Sequence, residues 1–220
     1  IKIIAPISTE GVISSEERKA VVGPDTEIEI VNLPEAPASI ENVVDEAEAA
    51  PYVIREAANA HEEEYDGVTI DCTLEPGLDA AKKVSRVPVI GAREAGFLTS
   101  LYLGNKFSVL IPTTESIAPM HSAARKLGIV DRLASVVPIG MHVLELEDQE
   151  KALEGLEKAG TQAIEMDSAD IIMLGCTGMG LKICNELAKR LGVPVVEPAT
   201  AALKTAEMLS HDSWKSAINV

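Results

Sequence analysis

Short apolar runs of strand length alternate along this chain with longer amphipathic stretches, in which apolar residues recur every three or four positions. The apolar runs predict strands at Ile1–Ala5, Glu27–Val31, Gly67–Asp71, Val87–Ile90, Phe107–Ile111, Ser135–Pro138, Asp170–Gly175 and Val193–Glu197. The amphipathic stretches predict helices at Ile40–Glu64, Pro76–Ser85, Arg93–Gly104, Glu115–Leu127, Asp148–Met166, Met179–Leu191 and Ala199–Leu209. Pro51 lies inside the first of these, and predicts either a kink or the first turn of a second helix.

The order strand, helix, strand repeats along the chain, which is typical of an α/β fold with parallel sheets covered on both faces. Two segments share one design: an apolar run, then Cys-Thr, then Gly-Leu and a helix, then a strand that begins Val-Pro-Val. Cys72 opens the first of these segments and Cys176 opens the second. The chain therefore predicts two copies of one unit, with the two thiols facing each other across one cleft.

Two domains follow from this repeat, with a boundary near Gly96. The last helix comes after the second unit, and we expect it to pack back on the first. The predicted division is residues 1–96 plus about 199–220 for the first domain, and 97–198 for the second.

Composition narrows the class of protein. Apolar residues make up 46% of the chain and aromatic residues only 3%, so aliphatic side chains must build the cores. The formal charge of −16, without a basic stripe, argues against nucleic-acid binding. No apolar run is long enough to span a bilayer, and the first residues resemble a strand rather than a targeting segment. We expect a soluble cytoplasmic protein, and the oligomeric state stays open, with a homo-oligomer among the alternatives.

The three cysteines are too few for a disulfide framework, and their odd number indicates reduced thiols. A lone cysteine is usually a small buried residue, but two cysteines in matched turns favour chemistry. Both are predicted at the carboxyl ends of parallel strands, where ligands bind, and at helix N-termini, which stabilise a thiolate. Asp71 precedes Cys72 and would disfavour its thiolate, whereas Gly175 precedes Cys176. Cys184 lies within a predicted helix, and we expect it in the core.

No cofactor or metal is expected. The matched cysteines have no Cys-x-x-Cys spacing and no histidine at ligand spacing, so a structural zinc site has little support. The glycines around Cys176 do not follow the order of a dinucleotide or P-loop motif. A small-molecule substrate and cofactor-free chemistry remain as the simplest interpretation.

Several motifs resemble those of hydantoin and allantoin racemases in the Asp/Glu/hydantoin racemase superfamily. The segment Asp71–Ala81, continued by Val87–Gly91, is similar to the first-cysteine motif, and Gly175–Met179 to the second. Phe107–Thr114 resembles the family's strand that ends in paired threonines, and Val196–Pro198 its closing segment. The chain departs from the family at Ala5-Pro6-Ile7-Ser8-Thr9, where hydantoin racemases usually have Asn-Pro-Asn-Thr-Ser. Gly178 stands where glutamate and aspartate racemases have Glu, which favours the hydantoin branch.

The resemblance implies two domains related by a pseudo-twofold axis, with the active site in the cleft between them. It also implies racemisation at a carbon next to a carbonyl, with Cys72 and Cys176 as the two bases. The residues expected to hold the substrate are Pro6, Ile7, Ser8, Thr73, Thr113, Thr114, Thr177 and Gly178. Three other functions stay open: amino-acid racemisation, chemistry like that of maleate isomerase or arylmalonate decarboxylase, and small-molecule binding without catalysis.

Overall fold

The computed structural model describes the chain from residue 1 to residue 211, with side chains to residue 210. The chain divides into two compact units, with one boundary after Ala95 and the other before Ala199. One unit consists of Ile1–Ala95 together with the chain from Ala199 onward, and the other of Gly96–Pro198. Residues 212–220, which the sequence assigns to the first domain, lie outside the described residues.

Both units have strands and helices in alternation. The first contains β1 (Lys2–Ala5), α1 (Ser15–Val21), β2 (Glu29–Asn32), α2 (Val43–Asn59), β3 (Val68–Ile70), α3 (Leu78–Val84), β4 (Val89–Gly91) and the start of α4 (Ala92–Leu103). The second continues with β5 (Phe107–Ile111), α5 (Ile117–Lys126), β6 (Leu133–Pro138), α6 (Gln149–Asp167), β7 (Ile171–Leu174), α7 (Gly180–Leu191) and β8 (Val195–Val196). The helix α8 (Pro198–His211) follows.

Each unit is built on a four-stranded parallel sheet, and the two sheets have the same strand order. The first runs β2-β1-β3-β4 and the second β6-β5-β7-β8. All pairs are parallel, so each connection crosses over and carries helices onto the faces of the sheet. This architecture confirms the α/β class predicted from the sequence. Parallel sheets covered by helices need apolar side chains on both faces, and this is why their strands appear in the sequence as apolar runs.

The central strands are the most deeply buried part of each unit. Every residue of β3 and of β7 is buried. Aliphatic side chains dominate both cores, with Ile4, Val53 and Ile70 in the first and Leu110, Leu156 and Leu174 in the second. A core of this kind explains how a chain with so few aromatic residues still removes a large apolar surface from water.

The helix predicted at Ile40–Glu64 is shorter than expected, and Pro51 does not divide it. The side chain of Asn42 accepts hydrogen bonds from the N–H groups of Val44 and Asp45, which fixes the start of α2. Pro51 lies within one continuous helix, so of the two alternatives predicted for it, the first turn of a second helix is wrong.

The sequence prediction missed α1. Ser14 caps this helix by accepting a hydrogen bond from the N–H of Glu17 at 3.2 Å. Arg18 is the only buried residue within it. Because the helix turns a charged side chain rather than an apolar stripe toward the interior, its sequence has no periodic signal that would predict it.

The last helix belongs to the first unit and packs on it. The carboxylate of Glu207 in α8 accepts hydrogen bonds from the N–H of Gly23 at 2.7 Å and from the hydroxyl of Thr26 at 2.6 Å. Lys204 donates to the same carboxylate at 2.9 Å. The hydroxyl of Ser210 donates to the carbonyl of Asp66. The bonds from Gly23 and Thr26 attach α8 to the loop after α1, and the bond from Ser210 attaches it to the loop before β3.

We predict that Glu207 stabilises the fold in a pH-dependent way. Hydrogen bonds from Thr26, Lys204 and the Gly23 N–H lower the pKa of Glu207 to about 2. A lowered pKa means that the stabilisation is complete above the ordinary carboxyl value and is lost as the pH falls toward 2. Glu207→Gln should therefore reduce the free energy of unfolding at pH 7 by about 1–3 kcal/mol, as measured by urea denaturation.

The difference between wild type and Glu207→Gln should shrink steadily between pH 4.5 and pH 2. Glu186→Gln, which alters an exposed carboxylate on α7, provides the control and should have little effect. A difference between wild type and Glu207→Gln that does not change with pH would contradict the assigned role of this carboxylate.

Candidate active site

In the first unit, the loops after β1 and β3 lie side by side. Ile4 pairs with Ile70 in the register of these strands, and the N–H of Asp71 donates to the carbonyl of Ile4 at 2.9 Å. From β1 the sheet extends one way to β2, and from β3 the other way to β4. Ligands bind at such a switch in strand order, at the carboxyl ends of the strands. Pro6, Ile7 and Ser8 therefore lie at the same edge of the sheet as Cys72 and Thr73. These five predicted residues are called the first half-site.

The second unit repeats this arrangement with β5 and β7. Leu110 pairs with Leu174, and the N–H of Gly175 donates to the carbonyl of Leu110 at 2.6 Å. The predicted residues that follow these strands are Thr113, Thr114, Cys176, Thr177 and Gly178. Thr113 is half-buried and Thr114 is exposed. These five predicted residues are called the second half-site. The two half-sites occupy the same place in two sheets of the same topology.

The two cysteines begin turns of the same kind. The carbonyl of Cys72 accepts a hydrogen bond from the N–H of Glu75 at 3.2 Å, and that of Cys176 from the N–H of Met179 at 3.3 Å. Both cysteines are half-buried, whereas the threonines that follow them are buried. A partly accessible thiol at a strand end can meet a ligand while the turn that holds it stays packed.

Each cysteine lies a few residues before an α-helix rather than at its first residue. In the first unit α3 begins only at Leu78, and its N-cap is Gly77, with a φ of 70°. In the second unit Cys176 precedes a short 3₁₀-helix, Thr177–Met179, and α7 begins at Gly180. A turn thus separates Cys72 from α3, and a single 3₁₀ turn separates Cys176 from α7.

The residue before each cysteine differs between the units for a steric reason. A Cβ atom at Gly175 would lie 2.5 Å from the Cγ2 of Ile111 and 2.7 Å from the carbonyl oxygen of Leu110. Only glycine fits there. In the first unit Asp71 occupies this position, and its side chain is buried.

Asp71 forms an ion pair that the sequence did not predict. The Nε of Arg18 donates to one carboxylate oxygen of Asp71 at 2.9 Å, and the Nη2 donates to the other at 3.3 Å. Each side chain is only 2% exposed. Asp71 therefore precedes Cys72 as one half of a buried ion pair rather than as a lone carboxylate. Arg18 escaped notice because it belongs to the missed helix α1.

A second buried carboxylate holds the other side of the Cys72 turn. Glu75 has a left-handed backbone, with a φ of 55°, and accepts a hydrogen bond from the N–H of Glu94 at 2.6 Å. Arg93 lies 3.0 Å from its other oxygen. Burial raises the pKa of Glu75, and the charge of Arg93 opposes that rise. Arginine pairs thus fix the chain on both sides of Cys72.

The loop after β1 is held by a side chain from the neighbouring strand. The amide of Asn32, the last residue of β2, donates to the carbonyls of Ile7 at 3.3 Å and Thr9 at 3.0 Å. Ile7 itself packs in the core of the first unit, and Ser8 is half-buried. The turn at residues 5–9 contains no asparagine of its own. The side-chain amide that bonds to its main chain comes from Asn32 in β2.

Cys184 lies in the core, as expected. It is 4% exposed, and its thiol donates to the carbonyl of Val195 at 3.3 Å. Burial, and then the negative charge of Glu197, raises the pKa of Cys184 to about 12. This thiol stays protonated at neutral pH and provides a control for the other two.

The described chain also has a cavity away from this site. A cavity of about 470 Å³ lies at the amino ends of β1 and β2, lined among others by Ile1, Glu29 and Tyr65. It is at the opposite end of the strands from Cys72 and contains none of the predicted site residues. Within the described residues, no group of His, Cys, Asp or Glu side chains is arranged to hold a metal ion. None of the described helices has both the length and the apolar character needed to cross a bilayer.

Comparisons with known proteins agree with this architecture. The family model described as Asp/Glu/Hydantoin racemase matches residues 1–206. The hydantoin racemase of Paenarthrobacter aurescens is 35% identical over 213 residues, which cover 95% of this chain and 90% of that protein. The solved structure of the allantoin racemase from Klebsiella pneumoniae superposes with a TM-score of 0.88 at 30% identity, covering 94% of this chain and 86% of that one.

The allantoin racemase from Pseudomonas fluorescens is similar to the same extent. It superposes with a TM-score of 0.86 at 31% identity, and the match covers 94% of this chain and 89% of that one. The likeness thus extends over both units rather than over one motif. The chain belongs to the Asp/Glu/hydantoin racemase family.

Proposed function

We propose that this protein racemises a 5-substituted hydantoin or an allantoin-like ureide, without a cofactor, by proton transfer between two cysteines. The observation that carries the proposal is the equivalent position of Cys72 and Cys176. Each follows the buried strand next to the switch in strand order, in one of two sheets with the same topology. Relatives called hydantoin racemase and allantoin racemase support the choice of substrate class.

In the proposed reaction, one cysteine acts as a thiolate and the other as a thiol. The thiolate takes the proton from the stereogenic carbon next to the ring carbonyl, and the electron pair of the C–H bond moves into a planar enolate. The second thiol donates a proton to the opposite face of that carbon. The product is the other enantiomer, and the two cysteines have exchanged their protonation states. The same two groups thus catalyse both directions.

The remaining residues of the two half-sites would hold the ring. Thr73 and Thr177 follow the cysteines, and Thr113 and Thr114 follow β5, so their hydroxyls suit the carbonyl and N–H groups of a ureide. Main-chain groups of Pro6, Ile7, Ser8 and Gly178 line the same strand ends. Hydrogen bonds donated by the threonine hydroxyls and by main-chain N–H groups such as that of Gly178 would stabilise the negative charge that develops on the enolate oxygen.

A neutral ring fits the charges of the first half-site. The guanidinium groups of Arg18 and Arg93 are paired with Asp71 and Glu75. Neither Cys turn contains an arginine or a lysine. A free amino acid would need a cation for its carboxylate and an anion for its ammonium group. A ureide needs only hydrogen bonds.

We predict that Cys72→Ser and Cys176→Ser each lower the racemisation rate by roughly 10²–10⁴-fold, because a hydroxyl does not ionise at neutral pH. Chiral chromatography of a 5-substituted hydantoin measures this rate. Each variant should still exchange the α-proton of one enantiomer with D₂O, because the remaining thiol reaches its own face of the ring. The two variants should favour opposite enantiomers.

Cys184→Ser is the matched control for these substitutions. It replaces a thiol that is buried in the core and should leave turnover close to that of wild type. Full racemase activity in either Cys72→Ser or Cys176→Ser would show that the assigned bases are wrong.

We also predict the substrate class. Purified protein, in buffer with a chelator, should racemise 5-substituted hydantoins or allantoin and have little activity on free aspartate or glutamate. Polarimetry on each compound tests this, and product analysis separates racemisation from isomerisation or decarboxylation. Efficient racemisation of a free amino acid, with no activity on any ureide, would move the chain to the other branch of the family.

A further inference from the structure

The two half-sites are built by different means, and the difference lies directly before each cysteine. Gly175 precedes Cys176 because no side chain fits there. Asp71 directly precedes Cys72 in the chain, and its carboxylate is buried. An anion beside a thiol opposes formation of the thiolate. A base at Cys72 therefore needs a group that offsets this carboxylate.

Arg18 supplies that group. Its guanidinium contacts both oxygens of Asp71, and the pair is almost completely buried. A two-point contact fixes the direction of the carboxylate as well as its charge, and burial protects the pair from screening by salt. We propose that Arg18 is a positioning residue of the reaction, which acts through Asp71 to keep Cys72 able to ionise.

The neighbouring charges leave Arg18 without a substitute. Around the Cys72 turn, four carboxylates lie near three cations: Asp71 pairs with Arg18, Glu75 with Arg93 and Glu94 with Lys82, and Glu46 lies near Arg93. Each of these cations already faces at least one carboxylate, and Arg93 faces two. Loss of Arg18 would remove the cation that contacts Asp71, with no other cation of this set available to replace it.

This inference rests on the proposed role of Cys72 as a base, but it can be tested without substrate. Iodoacetamide alkylates thiolates, and mass spectrometry of peptides gives separate rates for Cys72 and Cys176 in the same protein molecule. Rates measured from pH 5 to pH 10 give the pH midpoint of alkylation for each cysteine. Cys176 is the internal control, since Arg18 belongs to the first unit.

We predict opposite changes for the two halves of the ion pair. Arg18→Met should raise the midpoint for Cys72 by about one pH unit, and Asp71→Asn should lower it by about one unit. A thiolate is intrinsically more nucleophilic when the pKa of its thiol is higher, which partly offsets the change in thiolate fraction at pH 7. The alkylation rate of Cys72 at pH 7 should therefore change about threefold in each single variant. The double variant Arg18→Met/Asp71→Asn should return close to wild type. Cys176 should stay unchanged throughout.

Arg86→Met is the matched control for loss of an arginine, because Arg86 forms an exposed ion pair with Glu62 in the same unit. It should change neither midpoint. Circular dichroism shows which variants are folded. If Arg18→Met does not fold, Asp71→Asn and the double variant still test the proposal, because a neutral pair of similar size is usually tolerated in place of a buried ion pair.

Racemisation of the ureide gives a second readout. The value of kcat/KM at pH 7 should fall severalfold in Arg18→Met and recover in the double variant. A Cys72 midpoint that is unchanged in folded Arg18→Met and Asp71→Asn, or that shifts together with that of Cys176, would overturn the proposal. Absence of racemisation in the wild type, with the expected alkylation shifts, would instead overturn the proposed function and leave the effect of Arg18 on Cys72 standing.

Discussion

The hydrogen bonds that pair β1 with β3, and β5 with β7, are the interaction on which the rest of the structure depends. These pairs place the loops that follow the strands next to each other at the carboxyl edge of each sheet. The strands are buried between helices, so their register cannot slip without turning core side chains outward. The positions of Cys72 and Cys176 are therefore set by the same strand-pairing bonds that each core is built around.

The two units share this framework but stabilise their cysteine turns differently. In the second unit close packing excludes any side chain at Gly175. In the first, a fully buried arginine–carboxylate pair and a partly buried one hold the turn on either side of Cys72. Buried ion pairs are costly to desolvate and often add little stability, which suggests that specificity of position and charge is their main contribution here. The proposed reaction needs two bases that exchange roles, and the pairing of Arg18 with Asp71 is one way to keep an acidic half-site compatible with a thiolate.

The order of strands and helices along the chain could be predicted from the sequence, because buried parallel strands such as β3 and β7 are short and almost wholly apolar. The sequence also predicted which residues lie at the strand ends, since the Cys-Thr turns repeat. It did not predict α1, whose only buried residue is charged, or the ion pair that α1 forms with Asp71. The hydrogen bonds from Asn32 to the loop after β1 were missed for a similar reason, because a single polar residue at a strand end has no pattern around it. Contacts between residues far apart in sequence leave no periodic trace.

The most direct measurement of the central claim is a crystal structure with a planar cyclic imide bound as an analogue of the enolate. The account predicts that the sulfurs of Cys72 and Cys176 lie roughly 6–9 Å apart, on opposite faces of the ring, each about 3–3.5 Å from the carbon that carries the proton. An analogue bound with both thiols on one face, or with either thiol out of reach of that carbon, would contradict the two-cysteine mechanism.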